Sequence, residues 1–391
     1  MEFKLSDRAS GVKEYYFAGK LRQIAAMRAE GVDVISLGVG GPDLPPPLSV
    51  RETLGEGAMK ANTHGYQPHT GTAGLRKAWA EWYDRTYGVK LDPNTEVLPL
   101  AGSKEGVTHI SLASLNPGDQ ALVPDPGYPA YSSATRMAGG EPLYYRLEAD
   151  NGWQPDFDAL ERMDLSKVKL MWLNYPHMPT GAPARRETFE RAVEFARRHG
   201  IVLVHDNPYS LILHRDAPLS LLSVDGAKDV AVEFNSLSKS HNMPGWRTGV
   251  AVGNAEILKA MLRMKSNIDS GQFLPVMLAA EKALAEGPDW TEKLNEVYSR
   301  RRVLAEKVMT ALGCAFDPSQ TGLFLWGKIE GGNHDSASLA DMVLDRAKVF
   351  ITPGFIFGPG GEGYIRLSLC APEERLKEAL ERIESLNLNK N

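Results

Sequence analysis

The spacing of apolar and polar residues divides the chain into three stretches. In the middle stretch, short apolar runs alternate with segments of helical period. Residues 168–174 (VKLMWLN) form an apolar run of buried-strand type that ends in a Pro-rich turn. Residues 188–199 (TFERAVEFARRH) put their apolar positions on one helical face, and Gly200 is placed to end that helix. Residues 201–205 (IVLVH), 230–234 (VAVEF) and 249–253 (GVAVG) read as further strands. Strand, helix and strand in succession predict an α/β fold whose sheet has substantial parallel character. Such sheets bind ligands beyond the carboxyl ends of their strands.

The flanks differ. Residues 1–45 carry a helix-like stretch at 19–30, then ISLGVGGPD at 35–43 and prolines at 45–47. They predict an N-terminal arm that belongs to a smaller domain. Residues 46–288 predict the large domain. Residues 289–391 give helix, short strands at 322–328 and 364–369, and a last helix at 372–386, which predicts a small α+β domain. A length of 391 residues fits two such units better than one core.

Composition and charge narrow the class. With 43% hydrophobic and 24% charged residues the chain is of soluble globular type. A net charge of -5 offers no electrostatic grip on nucleic acid or on an anionic membrane. The basic residues mostly travel with acids, as in Arg185, Arg186, Glu187, Glu190 and Arg191, which reads as a solvated helix face. No apolar run approaches membrane-spanning length, and residues 1–20 are too polar for a secretory signal. Cys314 and Cys370 are expected as free thiols in a reducing cytoplasm.

Five polar segments sit at strand ends. The first is NSLSKSHNMPGWRTG at 235–249. A lysine just past a strand, Lys239, suits carbonyl chemistry once a desolvated, cation-rich pocket deprotonates its amine. Ser236, Ser238 and Arg247 would hold an anion beside it; a bare SxSK would otherwise be a surface loop. The second is HDNPY at 205–209. Asp206 ends a buried strand, where an acid is costly unless paired. It suits a protonated pyridine nitrogen, which makes pyridoxal 5′-phosphate (PLP) an electron sink, or equally a helix cap. Tyr209 can reach that cofactor's phenolic oxygen. The third, LPLAGSKEG at 98–106, turns a strand through Gly102 and Ser103 into a helix, whose first N–H groups, with Ser103 and Lys104, suit phosphate. In the fourth, PGYPAY at 126–131, Tyr128 is a ring to stack on a flat cofactor or a core tyrosine. In the fifth, YIRLS at 364–368, Arg366 offers a fork to a carboxylate or makes a structural ion pair.

Together these segments resemble the class I aminotransferases of PLP fold type I, in order and spacing, from about residue 30 to 380. The resemblance implies Lys239 as the Schiff-base lysine and general acid–base, Asp206 on the ring nitrogen and Tyr209 on the phenolic oxygen. It implies Gly102, Ser103, Lys104, Ser236, Ser238 and Arg247 around the phosphate, and Tyr128 against the ring. Arg366 matches the arginine that grips the substrate α-carboxylate, Gly40 matches the backbone donor that helps it, and Asn174 falls on the substrate side. Tyr66 matches a tyrosine that reaches the neighbouring subunit's phosphate, so the resemblance implies a homodimer. GSKEG, PDPGYP and GGPDLP look most like the branch with LL-diaminopimelate and some alanine aminotransferases. One position departs from the pattern: Met178 stands where the family has the Asn of Asn-Pro-Thr-Gly, and a thioether cannot donate to the phenolic oxygen. The implied reaction moves an amino group between an L-amino acid and a 2-oxo acid by a ping-pong path, without metal. A PLP-dependent C–S or other β/γ lyase shares the scaffold and is the alternative. A ligand-sensing regulator would need a DNA-binding domain for which no basic recognition helix is visible.

Overall fold

A computed structural model describes residues 3–11, 16–331 and 334–388. Thirteen strands are present among them. β1 (Ile35–Ser36) precedes the main sheet, which contains β2 (Val97–Leu100), β3 (Gln120–Asp125), β4 (Glu141–Arg146), β5 (Val168–Leu173), β6 (Val202–Asp206), β7 (Ala231–Ser236) and β8 (Gly249–Gly253). The remainder are β9 (Cys314–Phe316), β10 (Phe324–Ile329), β11 (Val349–Phe350), β12 (Thr352–Pro353) and β13 (Tyr364–Ser368).

The main sheet has the order β2-β8-β7-β6-β5-β3-β4. β4, β3, β5, β6 and β7 run parallel, whereas β8 is antiparallel to both of its neighbours, β7 and β2. The carboxyl ends of β2, β3, β5, β6 and β7 therefore share one edge of the sheet, and β8 begins there. The register puts Leu100, Gly249 and Ser236 in one row at that edge. The 249–253 run thus forms a strand but opposes the parallel ones. An apolar run does not encode its own direction.

Helices cover the sheet for the reason their sequences suggest. Arg186–His199 turns Phe189, Ala192, Val193 and Ala196 inward, and Gly200 closes it at φ 65°. Ser103–Ser114 and Ala255–Lys265 pack against each other over β2 and β8. A second hydrophobic core lies outside this sheet. It joins Phe17 and Ile24 of the helix Tyr16–Ala29 to Leu294 and Tyr298 of the helix Pro288–Ala311. The antiparallel sheet β12-β13-β10-β9 supplies its other wall, and β1 pairs in parallel with β11. The beginning of the chain is thereby built into the same core as its end, and residues of both reach the edge where the main strands finish. Among the described residues no helix is long and apolar enough to cross a membrane.

Candidate active site

A cavity of about 390 Å³ opens at that edge. Of the site residues put forward from the sequence, all line it except Gly102 and Tyr66.

Lys239 projects from the one-turn helix Leu237–Ser240, directly after β7. Its Nζ donates to the Gly40 carbonyl, so Gly40 faces the lysine with its oxygen. Burial holds the Lys239 amine below the usual lysine range, and the Arg366 and Arg247 cations push the same way. This favours the neutral, nucleophilic amine.

Asp206 is the last residue of β6 and is buried. Its Oδ2 accepts from the Tyr131 hydroxyl at 2.8 Å. Its Oδ1 is buried with no hydrogen-bond partner. Burial raises the Asp206 carboxyl to about 6, against the lowering effect of the Tyr131 bond. Tyr131 is itself fixed by stacking on Trp172, with centroids 4.6 Å apart. One residue back, His205 shares a hydrogen bond of 2.8 Å with Glu233, and both are fully buried. Glu233 also accepts from Tyr83, Asn207, Ser220 and the Leu221 N–H, which locks the chain that follows Asp206.

Another group of lining residues has the donors that suit an anion. Ser236 and Ser238 bring their hydroxyls within 2.9 Å of each other. Ser103 begins a twelve-residue helix, and Lys104 follows it into the cavity. Gly102, at φ 84°, stands behind them. A Cβ there would lie 2.0 Å from the Arg247 Nη2, so the guanidinium sits against the backbone of this left-handed glycine. Arg247 takes a left-handed conformation with φ 55°, and Gln272 donates to its carbonyl. Glu105 ties the turn down by accepting from the Ala101 N–H, while Lys265 bridges Glu105 and Asp269 at 3.0 and 2.6 Å.

Arg366 stands on β13, where its Nη2 donates to the Gly38 carbonyl at 2.8 Å. Its Nη1 lies 3.3 Å from the Met178 sulfur. The rings of Phe324, Phe357 and Phe17 surround the guanidinium, with centroids 4.0, 4.7 and 5.6 Å from Cζ. Asn174 lines the cavity, yet its side chain bridges loops: Nδ2 donates to the Asp206 carbonyl and Oδ1 accepts from the Met178 N–H. Tyr128 and Tyr209 both present rings to the cavity. Tyr66 is 94% exposed and lies outside it.

Sequence reasoning missed three features: the hydroxyl of Tyr131, the rings around Arg366, and the Glu105 clamp. Tyr131 and Glu105 belong to the segments singled out above, but nothing in the spacing tells a core tyrosine from one bonded to a buried acid.

The assembled donors fit PLP. An orphaned carboxylate oxygen suits a protonated ring nitrogen, aromatic side chains suit a flat ring, and a serine–arginine cradle at a helix start suits a phosphate. A buried amine stands in the same cavity.

Comparison with known proteins agrees. The family profile of class I and II aminotransferases matches residues 32–383. The LL-diaminopimelate aminotransferase of Dehalococcoides mccartyi is 44% identical over 381 residues, 97% of this chain and 98% of that protein. The enzyme of the same name from Aquifex aeolicus is 42% identical over 387 residues, 99% of this chain and all of the other. Among solved structures, substrate-bound BacF from Bacillus subtilis superposes with a TM-score of 0.94 at 36% identity, covering 99% of this chain and 98% of that one. A Thermus thermophilus aspartate aminotransferase mutant superposes with a TM-score of 0.91 at 28% identity, covering 98% and 100%. The chain therefore belongs to the class I and II aminotransferases, and its chemistry is PLP-dependent transfer of an amino group between an amino acid and a 2-oxo acid.

Proposed function

We propose that Lys239 binds PLP covalently and serves as the proton carrier of the amino transfer. Bound PLP supplies an electron sink for the pair released at the substrate α-carbon. In this reading Lys239 takes the α-proton and returns it one position away, as base and then acid. Asp206 keeps the ring nitrogen protonated, and Tyr131 orients Asp206. Tyr209 donates to the phenolic oxygen and Tyr128 packs on the ring. Ser103, Lys104, Ser236, Ser238 and Arg247 hold the phosphate, with Gly102 giving Arg247 room. Arg366 takes the α-carboxylate, with Gly40 and Asn174 shaping the substrate side. The donor is an L-amino acid and the acceptor a 2-oxo acid; LL-diaminopimelate is the donor that the relatives' names put forward.

The observation that carries this reading is one cavity holding both a buried, pKa-lowered lysine and a buried carboxylate with an orphaned oxygen. The working unit is a homodimer. Tyr66, Met59, Leu48, Ile268 and Phe273 are large apolar side chains exposed on a single chain, which supports a partner subunit covering some of them. The compartment is the cytoplasm, where two free thiols stay reduced.

Borohydride reduction followed by peptide mapping tests the assignment. The cofactor is expected on the peptide containing Lys239. Label on Lys104 or Lys265 would overturn it.

A further inference from the structure

The wall of the cavity beside Arg366 is apolar. Phe17 and Leu21 lie four residues apart on the helix Tyr16–Ala29, so they share one face, and both line the cavity. Val39, on the loop after β1, lines it too. Phe17 is buried against the Arg366 guanidinium, so this wall begins where the substrate carboxylate is gripped. Leu21 and Val39 are 45% and 37% exposed, which puts them where the cavity meets solvent. Phe357, buried with its ring centroid 4.7 Å from the Arg366 Cζ, also lines the cavity.

The charges have other positions. Among the described lining residues the sole carboxylate is Asp206, at the ring-nitrogen end. The four lining cations already have roles in the amino-transfer reading: Lys104 and Arg247 toward the phosphate, Lys239 at the reacting centre, and Arg366 toward the α-carboxylate. Among the described lining residues, a second ammonium on the substrate would meet no carboxylate besides Asp206, and a second carboxylate held at this wall would meet phenyl, isobutyl and isopropyl groups. Placing a charge on such a surface costs its hydration, whereas an apolar side chain would cover Leu21 and Val39 and remove their surface from water.

We infer that the amino donor of this enzyme is an L-amino acid with a bulky apolar side chain, aliphatic or aromatic, held against Phe17, Leu21 and Val39. This rests on the amino-transfer reading and on Arg366 as the carboxylate grip. It separates the chain from relatives whose names specify LL-diaminopimelate, a donor with an ammonium and a carboxylate at its far end.

The test uses the PLP-loaded enzyme in single half-reactions, followed by absorbance, with L-phenylalanine, L-leucine, L-alanine, L-glutamate, L-aspartate and LL-diaminopimelate. Phenylalanine and leucine are expected to react with second-order rate constants at least tenfold above each of the others. Leu21→Glu is expected to reduce the leucine-to-alanine ratio at least fivefold, and Val39→Ser to reduce it by less in the same direction. Fastest reaction with LL-diaminopimelate, glutamate or aspartate would overturn the inference, and would point to charged groups supplied by a second subunit. An unchanged leucine-to-alanine ratio in both folded variants would overturn it too. If no amino acid converts the cofactor, the amino-transfer reading itself fails, which is a distinct outcome.

Discussion

Replacing Asp206 with Asn should have opposite effects on the protein without and with its cofactor. Without PLP, the Asp206 carboxyl is held by burial at about 6, against 3.8 for an ordinary aspartate. Ionising it in the folded protein therefore costs about 3 kcal/mol, since each pKa unit corresponds to roughly 1.4 kcal/mol. The sign follows from linkage. The folded state holds this proton more tightly than the unfolded state, so stability from this group is complete below about pH 3.8 and is lost as pH rises through about 6. Asparagine carries no charge at any of these pH values, and its side-chain oxygen can still accept from Tyr131. Cofactor-free Asp206→Asn should thus be more stable than the cofactor-free wild type above pH 7, by up to about 3 kcal/mol, with the difference shrinking toward pH 4. With PLP bound the order reverses, because the pyridinium offsets the cost of the carboxylate and has no charged partner in the variant. Urea unfolding at pH 4.5, 6 and 7.5, at fixed protein concentration and with and without PLP, measures both effects. A cofactor-free variant no more stable than wild type at pH 7.5, or a variant that gains as much stability from PLP as wild type, would refute the pairing of Asp206 with the ring nitrogen.

Arg366→Lys keeps the charge but loses the planar fork, so it should lower kcat/KM for amino acids about ten- to a hundredfold, at 1.5–3 kcal/mol for a charge-assisted bond. Comparing acids with their amides checks this, because a structural arginine would leave the preference for the carboxylate intact. Met178→Asn supplies an amide beside the phenolic oxygen. It should lower the pH midpoint of the absorbance change of the Lys239-bound cofactor by up to about one to two units. An unchanged midpoint in a folded variant would make Met178 a packing residue. Tyr66→Phe and Lys239→Ala subunits mixed under exchange should differ in activity per site from either parent, and a fully active monomer in sedimentation would refute the shared site.

Local signals carried much of the fold. The 168–174 and 201–205 runs became β5 and β6, and the intervening helix ended at Gly200, because an apolar period and a left-handed glycine act within a few residues. β4 gave no comparable signal. As an edge strand it exposes Glu141, Tyr144 and Arg146, so it lacks the unbroken apolar run of the buried strands. The direction of β8 follows from pairing on both sides, and no residue within it specifies that. In the site, Lys239 and Asp206 stood out because their types are costly at buried strand ends. The setting of Arg366 did not, since Phe17, Phe324 and Phe357 meet around it from distant parts of the chain. Nor did the bond from Tyr131 to Asp206, which joins β6 to a helix 75 residues earlier.

The most direct measurement follows the fate of the amino group when the PLP-loaded enzyme meets one reactive amino acid and no 2-oxo acid. Amino transfer should yield one equivalent of 2-oxo acid per site and then stop, with the cofactor left as pyridoxamine phosphate and no free ammonia. Adding a 2-oxo acid should restore the starting spectrum and release a new amino acid, and Lys239→Ala should do neither at a measurable rate. Continuous release of ammonia and 2-oxo acid without an acceptor would contradict the assignment and identify a lyase.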